Sequence, residues 1–214
     1  MIEIFGAELG LLPTLDVLAK ALSPQFLAAY RARRGEVRNE SALTASLAGL
    51  LLLQAAGATG TLLYDDRGRP YLADSACDFN VTHTDRYVFC AVEIPDETTA
   101  PCRVGLDAED LSRMPEERIS RMARRWFSEA ERALFDAAPD VETFLRIWTR
   151  KEALMKWIGT GLVDLPRADT LTAEALHGIG FAEYRVGETL LSLCLRNGTR
   201  APQEIRMLTA DALL

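Results

Sequence analysis

The stretch FLRIWTRKEALMKWIGTGL, from Phe144 to Leu162, decides our interpretation of the chain. Its apolar residues recur at the spacing of an amphipathic helix, and neither Gly nor Pro interrupts the pattern before Gly159. With a step of about 100° per residue, six apolar side chains fall on one face: Phe144, Ile147, Trp148, Leu154, Met155 and Ile158. We therefore predict a helix whose apolar face packs against a core.

Charged residues interrupt this apolar face. Lys151 projects near its middle, and Glu152 lies beside Trp148. Lys156, four residues after Glu152, lies at its edge. Because buried charge is costly without a partner, these residues require one. Two interpretations stay open here: a structural ion pair within a core helix, or a site for a metal ion or a charged ligand.

The composition is that of an ordinary soluble globular protein, with 214 residues, 49% of them hydrophobic and 26% charged. A net charge of −7 argues against a general nucleic-acid binder. We find no secretory segment or long apolar run that would indicate a membrane protein. The four cysteines form no CxxC pair, which favours reduced thiols. We therefore expect a cytoplasmic protein that binds neither nucleic acid nor membrane.

Predicted helices precede predicted strands twice along the chain. An opening strand at 2–5 and three helices up to about residue 56 are followed by short strands up to Glu93. After Asp110 helices come first again, and the tail carries three predicted strands, GFAEYRV, TLLSLCLR and EIRMLT. This order indicates an α+β fold and permits two similar halves, residues 1–103 and 104–214.

Two carboxylates lie in RVGLDAED, at residues 103–110. If this segment is a strand, Asp107 and Glu109 point to the same side, about 7 Å apart. A strand that begins with Val104 and Leu106 and then presents two acids on one face is plausible as a site for a hard cation. The alternative is that the strand ends at Leu106 and the acids cap the next helix.

Two arginine-rich stretches stand out in this acidic chain. YRARRGEVR, at 30–38, carries four arginines against one glutamate, which suits either a phosphate-rich ligand or a solvated helix end. Residues 112–126 carry five arginines against two glutamates. In that second stretch an apolar stripe predicts an amphipathic helix: Ile119, Met122, Ala123 and Trp126.

Three short motifs complete the pattern. In WFSEAE, Ser128 and Glu131 have the spacing of a capping box at the start of a helix. In FNVTHT, at 79–84, His83 lies between Thr82 and Thr84 at a strand entrance, where it could help to hold an anion or could be an ordinary surface histidine. DDRGRPYL, at 65–72, indicates a turn.

The carboxylates of Asp107, Glu109 and Glu152, together with Lys151 and Lys156, form one candidate constellation. They lie on a strand and a helix that could pack side by side. Mg²⁺ prefers oxygen ligands and usually shares them with substrate phosphates. Three carboxylates flanked by lysines are therefore what a Mg²⁺–diphosphate site needs.

Taken together, GLDAED, WFSEAE and WTRKEALMKWIGTGL resemble the signature of the 4′-phosphopantetheinyl transferases. The chain is more similar to the broader, surfactin-synthetase-activating type than to the short trimeric holo-acyl-carrier-protein synthases. It is longer than the latter and also carries GRPYL at 68–72 and FNVTHT at 79–84. The resemblance spans roughly residues 68–162.

The resemblance implies a fold in which two similar α/β halves form a pseudo-dimer, with coenzyme A bound in the cleft between them. It implies that Asp107, Glu109 and Glu152 ligate Mg²⁺, or alternatively Mn²⁺, bound to the coenzyme A pyrophosphate. Lys151 and Lys156 would then contact phosphate oxygens.

The resemblance also implies roles for residues nearer the N-terminus. Thr82 and His83 would hold the 3′-phosphate of coenzyme A, and Arg69 would lie near its adenine. The chain departs from the family at position 43, directly before Thr44. Relatives often carry an arginine there, and this chain has Leu43. We expect one of the arginines of the 30–38 stretch to contact the 3′-phosphate instead: Arg31, Arg33, Arg34 or Arg38. Glu131 would be structural.

The implied activity is transfer of the 4′-phosphopantetheine group from coenzyme A to a serine of an apo acyl or peptidyl carrier protein, with release of 3′,5′-ADP. Asp107, Glu152 and Lys156 would be catalytic. The carrier, which displays an acidic helix, would dock near residues 113–125 of a monomeric enzyme. The alternatives are a family member that binds coenzyme A or a carrier without transfer, and a Mg²⁺-dependent phosphohydrolase or nuclease.

Overall fold

The computed structural model describes residues 1–34, 39–94, 103–113, 115–159, 169–171 and 178–214. The chain divides into two compact units. The first unit comprises Met1–Arg103 with Arg200–Leu214, and the second comprises Val104–Thr199. Each contains a sheet of mainly antiparallel strands and a long helix packed on it, so the predicted α+β class is confirmed. Within the described ranges, every helix is too short or too polar to cross a bilayer.

The elements of the first unit before residue 103 are β1 (Ile2–Glu8), α1 (Leu15–Ala21), α2 (Pro24–Arg34), α3 (Glu40–Ala55), β2 (Thr61–Tyr64), β3 (Pro70–Ala73), β4 (Asp78–His83) and β5 (Tyr87–Glu93). With the C-terminal strand β9 (Ile205–Met207), they form a four-stranded sheet with the strand order β4-β5-β1-β9 and a separate β2-β3 hairpin. Every residue of β5 is buried, as its apolar sequence predicts. Asn39 caps α3 by accepting a hydrogen bond from the backbone N–H of Ser41.

The C-terminal tail belongs to the first unit, which corrects the expectation that residues 104–214 form one half. The strand β9 (Ile205–Met207) pairs in parallel with β1, and the helix α7 (Ala210–Leu213) follows it. Leu213 is buried in the first core. Backbone pairing with β1 and burial of Leu213 stabilise this placement. Neither partner is close to the tail in sequence, so local pattern could not indicate it.

The elements of the second unit are β6 (Gly105–Asp110), α4 (Glu116–Trp126), α5 (Glu129–Ala137), α6 (Val141–Ile158), β7 (Ile179–Val186) and β8 (Thr189–Arg196). Its strands form a three-stranded antiparallel sheet with the order β6-β8-β7. In the β6–β8 register Asp107 lies opposite Ser192. Because β6 continues to Asp110, the alternative that the strand ends at Leu106 is wrong.

The helix α6 is the predicted organising element. The Asp140 side chain caps it by accepting from the Thr143 N–H, and Gly159 ends it with a left-handed φ of 81°. The predicted apolar face is buried from Phe144 to Met155, whereas Ile158 in the last turn is 36% exposed. Phe144 stacks between Phe127 and Trp148, with ring centroids 5.2 and 5.9 Å away. Aromatic packing therefore fixes the first half of α6 in its core.

Candidate functional site

Gly105 allows β6 to approach α6 closely. A Cβ atom at this position would lie 2.1 Å from the carbonyl oxygen of Ala153 and 2.6 Å from the backbone nitrogen of Trp157. Both atoms belong to the backbone of α6, so a larger residue could not be accommodated without separating the two elements. Sequence reasoning missed this role, although a glycine inside a strand pattern is the usual signal of close backbone approach.

This approach brings the three predicted carboxylates together. Asp107 and Glu109 lie on the same side of β6 as Gly105, and Glu152 projects from α6. One oxygen atom from each carboxylate lies within 4.8 Å of the other two. Asp107 is buried, and Glu109 and Glu152 are partly buried. We call these three residues the carboxylate cluster.

The electrostatics of the carboxylate cluster favour a proton or a cation. The pKa of Glu152 is raised from its ordinary value of 4.5 to about 8, chiefly by burial and next by the negative charge of Asp107. The positive charge of Lys156 lowers this pKa, and the charge of Glu109 and a hydrogen bond with Asp107 raise it. Glu152 is therefore largely protonated at neutral pH when no metal ion is bound.

Lys156 lies at the edge of the carboxylate cluster. Its Nζ donates to Asp107 Oδ1 at 2.7 Å and to the carbonyl oxygen of Leu106 at 2.9 Å. The Lys156 side chain is 31% exposed, whereas that of Asp107 is 4% exposed. The ammonium group is thus held beside the carboxylates while its side chain keeps contact with solvent.

Lys151 lies elsewhere, in a buried ion pair. Its Nζ donates to Glu131 Oε2 at 2.7 Å, and both side chains are completely buried. Ser128 and Glu131 form the predicted capping box at the start of α5, which is confirmed. Of the two interpretations left open for Lys151, the structural ion pair describes its position. A contact with phosphate is not indicated, because the ammonium is buried against Glu131.

The donor set of the carboxylate cluster fits a hard divalent cation. All three side chains offer carboxylate oxygens, which suit Mg²⁺ or Mn²⁺, and the set contains no thiolate or imidazole of the kind that softer metals prefer. Three separate oxygens leave room for further ligands from water or substrate. The residues therefore fit the predicted Mg²⁺ site.

The residues predicted to bind the nucleotide end of coenzyme A lie in the first unit. Arg69 is buried, and its Nη2 lies 2.7 Å from Asp78 Oδ2, at the start of β4. Thr82 and His83 end the same strand, Thr82 buried and His83 exposed. Arg31 is exposed on α2, and Arg38 lies outside the described residues. The structure therefore keeps Thr82 with His83 and places Arg69 at the opposite end of β4.

The predicted amphipathic helix is α4, which begins at Glu116 rather than at 113. Ile119 and Ala123 are buried on one side. On the other side four arginines are exposed: Arg118, Arg121, Arg124 and Arg125. We call these four residues the α4 arginine face.

The sequence comparisons find that most of the second unit matches the model of a known family. A model of the 4′-phosphopantetheinyl transferase superfamily matches residues 103–197, which contain the carboxylate cluster. The 4′-phosphopantetheinyl transferase HetI of Nostoc sp. is 32% identical over 109 residues, which are 48% of this chain and 43% of that protein.

Two further relatives carry the same description. The 4′-phosphopantetheinyl transferase gsp of Aneurinibacillus migulanus is 30% identical over 101 residues, 46% of this chain and 38% of its own. The 4′-phosphopantetheinyl transferase of Bacillus subtilis is 34% identical over 99 residues, 44% of this chain and 39% of its own. The matches thus span less than half the length of these relatives. Residues 103–197 of this chain are thus similar to the 4′-phosphopantetheinyl transferase superfamily.

Proposed function

We propose that the chain is a Mg²⁺-dependent 4′-phosphopantetheinyl transferase. It moves the 4′-phosphopantetheine group of coenzyme A to a serine hydroxyl of an apo acyl or peptidyl carrier protein and releases 3′,5′-ADP. One observation carries the proposal: the carboxylate cluster, with Lys156 beside it, lies inside the region that matches the superfamily.

In this proposal Asp107, Glu109 and Glu152 hold Mg²⁺, with Mn²⁺ as an alternative. The bound ion supplies a Lewis acid and a template for the diphosphate of coenzyme A. Asp107 contributes in a second way, because its carboxylate holds the Lys156 ammonium at 2.7 Å. The cluster therefore also orients a side-chain cation.

Lys156 and Glu152 have complementary tasks in the transfer. Lys156 donates to a phosphate oxygen and stabilises the negative charge that grows on the leaving 3′,5′-ADP. Glu152, which would be ionised with the cation bound, accepts the serine proton as the general base. The serine oxygen forms a bond to phosphorus as the bond from phosphorus to the bridging oxygen of the diphosphate breaks. The proton leaves Glu152 for solvent.

The first unit supplies the proposed contacts with the nucleotide end. Thr82 and His83 offer hydroxyl, backbone and imidazole donors for the 3′-phosphate, and Arg31 offers a guanidinium group for it. Arg69 is proposed to lie near the adenine. Asp78 keeps the Arg69 guanidinium in one orientation. We assign no phosphate contact to Lys151, because its ammonium is buried against Glu131.

The α4 arginine face is the proposed docking surface for the carrier protein. Its exposed positive charges complement an acidic carrier helix, and such complementarity speeds encounter more than it tightens binding. We further propose that the enzyme acts as a monomer in the cytoplasm, where reduced thiols such as those of Cys77 and Cys90 are stable.

Mass spectrometry of a carrier protein tests the proposal. The full chain is incubated with an apo-carrier, Mg²⁺ and coenzyme A, and the carrier is expected to gain the mass of phosphopantetheine. The Glu152→Ala variant is expected to abolish this gain, whereas Glu129→Ala, an exposed position on α5, leaves it unchanged.

The same reaction distinguishes the alternatives. Release of phosphate from a nucleotide without any acceptor protein would indicate a phosphohydrolase. Binding of coenzyme A with no change in carrier mass would indicate a member that binds but does not transfer. Transfer at an undiminished rate in excess chelator would contradict the role given to Mg²⁺.

A further inference from the structure

Thr170 donates two hydrogen bonds to one buried carboxylate oxygen. Its backbone N–H donates to Glu131 Oε1 at 2.9 Å, and its hydroxyl donates to the same oxygen at 2.7 Å. Thr170 is 1% exposed. The neighbouring Asp169 Oδ1 accepts from the Leu171 N–H at 3.0 Å, which shapes this short segment. Thr170 therefore ties residues beyond α6 to the start of α5.

The other oxygen of Glu131 is equally engaged. Glu131 Oε2 accepts from Lys151 Nζ at 2.7 Å and from the Ser128 N–H at 2.8 Å. The carboxylate thus receives four hydrogen bonds, which is about the number that its lone pairs can accept. A buried charge is tolerated when it is paired and when its remaining hydrogen-bonding positions are filled. Thr170 fills those that Lys151 and Ser128 leave.

Stability alone is a weak explanation for this buried pair. Replacing such a pair by apolar residues of similar volume is often neutral or stabilising, so the pair needs another justification. Lys151 immediately precedes Glu152 in α6. An ammonium held at one point limits how far α6 can rotate or slide, and it therefore also limits where Glu152 can lie.

We propose that Thr170 is a positioning residue for the carboxylate cluster. Its two hydrogen bonds hold the Glu131 carboxylate against Lys151, and through α6 this ion pair keeps Glu152 beside Asp107. The inference rests on the proposed function, since it assumes that the cluster binds a divalent cation. It adds Thr170, which lies outside every motif recognised in the sequence.

Two substitutions of Thr170 separate its hydroxyl from its shape. Thr170→Val keeps the branched shape and the backbone N–H but removes the hydroxyl, whereas Thr170→Ser keeps the hydroxyl. The affinity of the full chain for Mn²⁺ is measured by calorimetry, and kcat and KM are measured with an apo-carrier. We expect Thr170→Val to weaken Mn²⁺ binding about tenfold and to lower kcat similarly, with KM for the carrier unchanged. The Mn²⁺ affinity and the kcat of Thr170→Ser are expected to stay within about twofold of the wild-type values.

A control separates positioning from general destabilisation. In the first unit the Gln54 side chain also makes two hydrogen bonds, accepting from the Ser23 N–H and donating to the Ala21 carbonyl. Gln54→Met removes both and is expected to lower stability without changing the affinity for Mn²⁺. Wild-type affinity and kcat in Thr170→Val would overturn the proposal. A loss that Thr170→Ser does not restore would also overturn it.

A double variant tests the same idea without depending on Thr170→Val folding. Glu131→Gln combined with Lys151→Met replaces the ion pair by neutral side chains of similar size. We expect this variant to fold and to bind Mn²⁺ about tenfold more weakly than the wild type, and unchanged affinity would overturn the proposal. Failure of the wild type itself to bind Mn²⁺ would contradict the proposed function, and the positioning role with it. That result is distinguishable because it appears before any variant is compared.

Discussion

Replacing Glu152 by Gln tests whether the carboxylates of the cluster oppose one another in the absence of a cation. In the folded protein the pKa of Glu152 is raised from 4.5 to about 8, first by burial and then by Asp107. The folded state therefore holds a proton on Glu152 across a pH range in which the unfolded chain has released it. The stabilisation from that proton is complete below about pH 4.5 and is lost as the pH rises through about 8. The amide side chain that Glu152→Gln introduces cannot ionise, so the variant does not lose this stabilisation.

The magnitude follows from the difference between the two pKa values. At about 1.4 kcal/mol per pH unit, this difference limits the contribution of the Glu152 proton to the free energy of unfolding to roughly 5 kcal/mol. Water and neighbouring groups relax around a partly buried carboxylate, so we expect about 2 to 3 kcal/mol. In chelator near pH 9, Glu152→Gln should therefore exceed the wild type in stability by that amount. Near pH 5 the difference should be small.

Urea denaturation at both pH values, with and without Mg²⁺, measures this effect. Mg²⁺ should stabilise the wild type near pH 9 through binding to the folded state, and it should stabilise Glu152→Gln much less. The matched control, Glu129→Gln, changes an exposed glutamate on α5 and should show no gap that depends on pH. An equal difference between wild type and Glu152→Gln at both pH values, or equal stabilisation of both by Mg²⁺, would refute the reasoning.

Three further substitutions test separate parts of the site. Gly105→Ala should cost about 1 to 3 kcal/mol of stability and weaken Mn²⁺ binding, because the added Cβ meets the backbone of α6. Gly180→Ala on β7 is the control, since no atom lies within 4 Å of its added Cβ. Denaturation and calorimetry measure both effects, and wild-type behaviour of Gly105→Ala would contradict the close approach. Lys156→Met should lower kcat about a hundredfold while leaving Mn²⁺ affinity equal or higher, since it removes a competing cation, and an unchanged kcat in the carrier assay would count against its role. Replacing Arg121 and Arg124 by Glu should reduce kcat/KM for an acidic carrier, most strongly at low salt, without altering the affinity for coenzyme A. Equal losses in kcat/KM and in the affinity for coenzyme A would contradict the docking proposal.

The local sequence pattern predicted the helix and the strand of the site, because the periodicity of each lies within one continuous segment. The three- and four-residue spacing identified α6, and the alternation of GLDAED placed Asp107 and Glu109 on one side of β6. The contribution of Gly105 was not predictable in the same way. Its function depends on which backbone atoms lie opposite it, and these belong to α6, almost fifty residues later in the chain.

The separation of the two lysines has a simple geometric reason. Lys151 and Lys156 are five residues apart, which corresponds to about 140° around a helix. They therefore cannot serve the same site from one helix face. Sequence reasoning assigned both to phosphate, because it did not locate the partner of Lys151. The capping-box motif did identify Glu131, but its second partner, Lys151, lies on another helix.

The charges that remain at the carboxylate cluster explain why a divalent cation suits it. Of the two predicted lysines, Lys156 donates to Asp107, whereas the ammonium of Lys151 is paired with Glu131. With Asp107, Glu109 and Glu152 all ionised, the three carboxylates and Lys156 carry a formal charge of −2. Burial and the charge of Asp107 raise the pKa of Glu152, and a proton on this group offsets half of that formal charge. A divalent cation offsets all of it and allows Glu152 to ionise. If the ammonium of Lys151 also lay at the cluster, the formal charge would be −1, and the affinity for a divalent ion would be lower. The burial of Lys151 against Glu131 thus keeps the cluster acidic enough for a divalent metal.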